Sequence, residues 1–446
     1  MKSENTLLEK IGGWISHSVT LKLIVITFLA LLLLIPVSMI GEIIGEREAL
    51  NQKVTTEVSS KWAGSQQING PVLTIPLVYD YQEKENTVEI TKYLYILPSS
   101  LKVNGEIKPE KLTRGIYEVV VYKSELMISG DFELNHPIDR NNLKSIRYDK
   151  AFLTMGISDL KGIKEQVGFK WHGETLEVQP GSRVKDILPS GITADLPDLE
   201  EKLDQMIPFE LSLNLQGSQN MAFVPVGGIT KVEITSSWNS PSFNGNFLPD
   251  SRNVSEDGFK ASWRILQLNR NFPQSWIDNN QSSNLQASAF GIDLILPLDH
   301  YQKSMRSAKY AAMTIIITFL IFFLVEILNN RKIHPFQYAL VGFALCLFFV
   351  LLVSLTEHIQ FNLAYWISAF GIVCMISLYS LKVFKSSKLV VLLGVTLVGA
   401  FGFLFVTLQL TEYALLMGSI GLTIILALTM YFTRNVDWYR IGVGKD

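Results

Sequence analysis

Cysteine is nearly absent from this chain of 446 residues: the two present, Cys346 and Cys374, both lie inside apolar blocks. The polar half has none, so no disulfide framework supports it and its stability must come from a buried core. An excess of charge of one sign is missing too. There are 39 basic and 41 acidic residues, a formal net charge of −2, which excludes the basic footprint of a nucleic-acid binder. Catalytic signatures are also lacking: there is no H-E-x-x-H, no G-x-S-x-G, no Walker A motif and no paired C-x-x-C. His136, His172 and His300 stand far apart without metal-ligand spacing. No catalytic residue, metal site or cofactor is expected from this pattern.

Long apolar runs, by contrast, are plentiful. Hydrophobic residues make up 48% of the chain, and the mean hydropathy of +0.25 averages two different materials. Six stretches are long enough to span a bilayer, which requires about 20 apolar residues, so six transmembrane helices are expected. The first is Leu21–Ile40; the others lie near Ala308–Leu328, Gln337–Leu355, Leu363–Leu381, Leu389–Leu408 and Tyr413–Thr433. The first reads as an uncleaved anchor, because its apolar run exceeds a usual signal-peptide core and VSMIGE is a weak cleavage site. Lys2, Lys10 and Lys22 precede or open it. Arg331 and Lys332, then Lys382, Lys385 and Lys388, then Arg434, Arg440 and Lys445 mark alternate connections, whereas TEHIQFN and QLTE carry no Lys or Arg. By the positive-inside rule both termini face the cytoplasm, and the large polar block lies outside. The expected partition is a cytoplasmic N-terminus (1–20), a first transmembrane helix (21–45), an outer β-rich domain (46–306, with a helical stalk over about 46–62), a five-helix transmembrane bundle (307–433) and a cytoplasmic tail (434–446).

The outer block has strand periodicity. FELSLNLQGS places Phe209, Leu211, Leu213 and Leu215 on one face, and GPVLTIP, VEITKYLYILP, GIYEVVVYK, ELMISGDFEL and SAFGIDLILPL read similarly. Many short strands with Gly/Pro turns predict a mainly antiparallel, sandwich-like domain, divisible into two lobes near Leu188–Leu203. Short helices are expected at PIDRNNLKSI and at DLPDLEEKLD, the latter capped by Asp195 or Asp198. Between the strands ITKVEITSSW and Phe259–Ile265 a polar connection of about 20 residues is expected as a long loop. Its Phe243 and Phe247 either tuck onto the sheet as core or line a groove for an amphiphile or partner. Asp250, Glu256 and Asp257 either cap turns or meet a cation or glycan.

Within the apolar blocks, ionisable residues are functional candidates because hydrocarbon penalises them. Glu326 either pairs with Arg331, snorkels to the interface or takes part in transport. Glu357 and His358 close the third block on its outer side, and Glu412 opens the sixth. Arg434 and Asp437 sit where the last block ends, followed by Trp438 and Tyr439 as interface anchors.

Several segments in order carry a family likeness: GPVLTIP, SSWNSPSFNGNFLP with VSEDGFKASW, KYAAMTIIITFLIFFLVE, HPFQYALVGFALCLFFVLLVSLTEH and TRNVDWY. Together they resemble the CreD family of bacterial inner-membrane proteins over most of the chain. The resemblance implies an inner-membrane cell envelope integrity protein of a Gram-negative bacterium, with an N-terminal anchor, a periplasmic domain and a C-terminal bundle. It implies no catalytic residue and no cofactor. The resulting expectation is a non-enzymatic protein whose periplasmic domain binds or scaffolds envelope components. Its partners would be the lipid bilayer and a periplasmic protein or an envelope lipid or glycan. The alternative is a carrier of a lipid or other amphiphilic envelope component.

Overall fold

The computed structural model describes all residues except 1–18, 84–85, 139, 279, 297–299, 329–332, 411–413 and 435–446. The chain divides into two compact units, residues 51–297 and residues 1–50 with 298–446. One helix, α1 (Val19–Trp62), contributes to both, with Pro36 inside it. Between Gly45 and Trp62 it contains neither Gly nor Pro, so nothing interrupts its hydrogen-bond ladder there.

In the first unit the strands, in chain order, are β1 (Gln66–Glu83), β2 (Asn86–Ile96), β3 (Ser100–Arg114), β4 (Tyr117–Glu133), β5 (Leu143–Ile146), β6 (Phe152–Ile157), β7 (Gly168–Trp171), β8 (Glu174–Leu176) and β9 (Val178–Pro180). They continue as β10 (Gly191–Asp195), β11 (Met206–Ser218), β12 (Asn220–Phe223), β13 (Ile229–Ser236), β14 (Pro241–Gly245), β15 (Ser251–Ser255), β16 (Gly258–Leu266), β17 (Ser275–Ile277) and β18 (Phe290–Leu294), with a short helix α2 (Ser282–Ala287) before the last. One sheet has ten strands in the order β14-β18-β12-β1-β6-β10-β9, with β2 and β5 also on β1 and β17 on β2. The other has eight, β15-β16-β13-β3-β4-β11-β7-β8. The sheets are mixed: β1 runs parallel to β12 and β13 parallel to β3, while the remaining ladders are antiparallel.

Side-chain alternation explains the burial. β13 buries every second residue, and β11 buries Ile207, Phe209, Leu211, Leu213 and Leu215. β1 is central and buries Val72, Leu73, Ile75 and Leu77 in succession, as a strand covered on both faces should. A single core cluster joins residues of both sheets. The expected division near Leu188–Leu203 is not present. Leu188, Leu196 and Leu199 are buried in that same core, and β10 is a sheet strand between them. The two expected helices also change character. PIDRNNLKSI ends in strand β5, and DLPDLEEKLD forms only a 3₁₀ turn at Glu200–Lys202, where Asp198 accepts from the Glu200 amide at 3.0 Å.

The helical unit comprises the first part of α1 with α3 (His300–Lys309), α4 (Ala311–Leu328), α5 (Pro335–Thr356), α6 (Phe361–Phe384), α7 (Ser387–Gln409) and α8 (Ala414–Thr433). Among the described residues α1, α5, α6 and α7 are long and apolar enough to cross a membrane. The pair Lys303–Lys309 and Ala311–Ile327, bent by 41°, makes a fifth if taken as one span. The apolar stretch Leu416–Tyr431 of α8 falls short of that length among the described residues. Six spans were expected, and four or five are found on this criterion.

Candidate functional site around Glu326

α4 is apolar for almost its whole length, and Glu326, near its C-terminal end, is only 4% exposed. A buried carboxylate is tolerated only with a counter-charge and further hydrogen bonds. Both conditions are met. The Lys22 ammonium on α1 lies 2.6 Å from Glu326 Oε1, the Ile333 amide donates to Oε1 at 3.1 Å, and the Tyr338 hydroxyl donates to Oε2 at 3.0 Å. The start of α5 places two of these donors. His334 is its N-cap and Pro335 follows in the first turn. His334 Nδ1 accepts from the Phe336 amide, and the Gln337 side chain accepts from the His334 amide. This reciprocal cap holds Ile333 just ahead of the helix and Tyr338 one turn inside it. Aromatic rings enclose the cluster: Phe319 and Phe322 lie 5.5 and 5.8 Å from the Tyr338 ring, and Phe384 lies 4.9 Å from Phe322. Both carboxylate oxygens are occupied, so the arrangement fits a clamp joining α1, α4 and α5.

A second ion pair ties α1 to α5. Glu357, the C-cap residue of α5, lies 3.3 Å from Arg47 Nε on α1. At 1.5 Å per residue, Lys22 and Arg47 are roughly 37 Å apart along the helix. That separation exceeds the thickness of a hydrocarbon core, about 30 Å. Between them Leu33 is buried, and a Cβ at Gly342 of α5 would fall on its side chain. Glycine there permits the close approach of α1 and α5.

The remaining candidates lie elsewhere. His358 is exposed beyond the end of α5, with its amide bonded to the Leu355 carbonyl. Phe243 and Phe247 are half-buried against the sheet core. Phe243 packs edge-on to Phe259 and Trp263 at 5.8 and 5.9 Å, Phe247 edge-on to Phe290 at 6.1 Å, and the Phe247 carbonyl accepts from the Trp263 indole. The expected long loop is therefore a crossing: β14 adds an edge to the ten-stranded sheet, and β15 adds one to the eight-stranded sheet. Asp250 accepts from the Arg264 amide at 2.6 Å and stands at one end of β15, with Glu256 and Asp257 at the other. A five-residue strand separates the two ends by roughly 17 Å, so Asp250 does not share a site with Glu256 and Asp257. Arg331, Glu412, Asp437, Trp438 and Tyr439 lie outside the described residues. Among the described residues no group of three or more His, Cys, Asp or Glu is placed to hold a metal.

Outside the helices, burial pushes the Tyr95 phenol up to about 12 and holds the His136 imidazole below its ordinary value. Burial also brings Arg270 down to about 10, its guanidinium stacked 4.3 Å from the Phe272 ring centroid and bonded to Gln274. Sequence reasoning missed Lys22, Tyr338 and Arg47 as partners. Lys22 is an orientation charge in that reading, although a lysine just inside an apolar helix is itself a sign of a buried counter-charge.

The family model described as "Inner membrane protein CreD" matches residues 18–439. The Escherichia coli (strain K12) protein of the same description is 33% identical over 419 residues, which cover 93% of this chain and 92% of that protein. With its apolar helices and its large mixed-sheet domain, this chain belongs to the CreD family of inner membrane proteins.

Proposed function

We propose that this protein is a non-enzymatic envelope protein whose sheet domain binds or scaffolds envelope components in support of envelope integrity. In this reading the bent α3–α4 pair and α8 also cross the bilayer, making six spans, with both termini cytoplasmic and the sheet domain periplasmic. The observation that carries it is the filled interior of the sheet domain. Residues of both sheets meet in one core cluster that includes Leu73, Val103, Leu126, Leu153, Leu213 and Trp263. Binding is thereby directed to the outer surfaces. A cleft of about 600 Å³ in this unit is lined by polar residues such as Gln52, Glu118, Gln219 and Asp293 together with aliphatic ones such as Val119 and Leu294.

A second reading, carriage of a lipid or other amphiphile, is favoured by a different observation. A cavity of about 490 Å³, open at the surface of the helices where Leu392 and Ile424 are more than half exposed, lies among Leu320, Leu324, Leu392, Ala400, Phe403 and Ile424 of α4, α7 and α8. Native mass spectrometry of the full-length protein, taken in nanodiscs from its own host, separates the two. A protein partner, or no added mass, is expected. A stoichiometric lipid or glycolipid that disappears in Ala400→Trp, where the indole fills the cavity, would replace the scaffold reading with the carrier.

A further inference from the structure

The outer face of the eight-stranded sheet balances its charges almost everywhere. Lys108 and Lys123 stand opposite one another, but Lys108 reaches Glu125 at 2.6 Å and Glu106 at 3.4 Å, and Lys123 reaches Glu110 at 3.1 Å. Lys170 of β7 pairs with Glu210 of β11. One rung departs from this pattern. Lys231 of β13 is directly opposite Arg264 of β16 on one side and Lys102 of β3 on the other, and all three are exposed. Adjacent strands lie about 4.8 Å apart, so three cations stand within roughly 10 Å. Like charges placed directly opposite destabilise a sheet. The acids nearest in register on this face are Glu233 and Asp131, and the Asp250 carboxylate lies beside the Arg264 backbone. Asp131 accepts from the Ser100 hydroxyl and Asp250 from the Arg264 amide, and among the described residues none of the three makes an ion pair with this rung.

On β13 and β16 the next outward-facing positions toward the sheet end are apolar, beside Ser100 of β3. Ile229 and Leu266 oppose one another at 40% and 38% exposure. The 3₁₀ turn that follows, Gln267–Asn269, presents Leu268 at 87% exposure. A cationic row without ion pairs beside a projecting apolar tip is complementary to a surface that is anionic at its face and apolar just beneath.

We propose that this corner of the sheet docks on an anionic phospholipid surface, with Lys102, Lys231 and Arg264 facing lipid phosphates and Leu268 entering the interfacial layer. Such docking would deepen the binding role proposed above by naming its partner. Each basic residue near an anionic bilayer contributes about fivefold in affinity, on the order of a hundredfold for three. The test uses the full-length protein in zwitterionic nanodiscs, titrated with separate vesicles of phosphatidylglycerol or of phosphatidylcholine. Binding to the phosphatidylglycerol vesicles alone is expected. It should weaken on the order of a hundredfold in K102Q/K231Q/R264Q, and Leu268→Ser should weaken it with the charges intact. The single variant Lys231→Gln should melt no lower than the parent, because it relieves repulsion within the row, so weakened binding in that variant is not a folding defect. Equal binding to both vesicles, or unchanged phosphatidylglycerol binding in the triple variant, would overturn the assignment. Binding of polyglutamate but not of vesicles would also overturn it, giving the rung to an acidic protein. A co-purified protein partner that persists while vesicle binding fails would remove this surface and leave the scaffold reading standing.

Discussion

Glu326 holds three donors at once, and that number sets what its neutralisation should do. Removing one partner of a fully buried pair costs roughly 3–5 kcal/mol; Lys22 is one-fifth exposed, so Glu326→Gln is expected to cost about 2–3 kcal/mol. The double variant Lys22→Met/Glu326→Gln should be less unstable than the sum of the two single variants. A double-mutant cycle on unfolding in nanodiscs reads this, and strict additivity would show that the pair contributes no coupling. His136 supplies a pH dependence. Its half-buried imidazole is held below its ordinary value of 6.5, chiefly by desolvation, with the neighbouring Glu133 opposing the shift. The unfolded chain then binds more protons than the folded one below about pH 6.5. Stability from this group is complete above pH 6.5 and falls as the pH drops toward the folded value. The melting temperature of His136→Gln should fall less than that of the parent between pH 7 and 5. Equal falls would assign the acid sensitivity to other groups.

At the scale of elements, the segment from Trp238 to Trp263 has the largest consequence. β14 and β15 are five-residue edge strands of polar composition, Pro241–Gly245 and Ser251–Ser255, and neither shows a long apolar alternation. Their identity as strands rests on β18 and β16, which supply the ladders. Gly245 makes the first attachment possible. Its φ is +88°, and a Cβ there would fall on the Ala289 carbonyl oxygen and the Phe290 backbone. A non-glycine residue in that region costs about 1–3 kcal/mol before any clash. Gly245→Ala should therefore detach β14 locally and leave the rest of the sheet paired. Faster hydrogen exchange at Asn246, whose amide bonds to the Ala289 carbonyl, would report this, and unchanged protection there would reject it. The misread helices have a related cause. PIDRNNLKSI and DLPDLEEKLD have the composition of helix starts, but Leu143 and Ile146 pair with β1, and Leu199 is buried in the sheet core. Tertiary burial overrides a propensity worth only tenths of a kcal/mol per residue.

Across the whole molecule, two materials share one chain. The apolar blocks and the alternating segments were readable because hydrophobic periodicity is a local property: it needs only near neighbours along the chain. The same holds for the family likeness, which the match over residues 18–439 bears out. Residues far apart in sequence behave differently. Among the described residues Glu326 pairs with Lys22, 304 positions away; the sequence reading weighed nearby Arg331, snorkelling or transport, because charge alone cannot report which helices pack. Phe243 and Phe247 read as core or as groove until β14 and β15 were seen to cross between sheets. The unbalanced rung of Lys102, Lys231 and Arg264 exists only through strand register, which brings positions 102, 231 and 264 abreast. Composition and period establish which segments leave water and which stay in it. Which charges then meet depends on long-range pairing, because the free energy of an ion pair or a ladder falls off over a few ångströms, and only the folded chain sets distances on that scale.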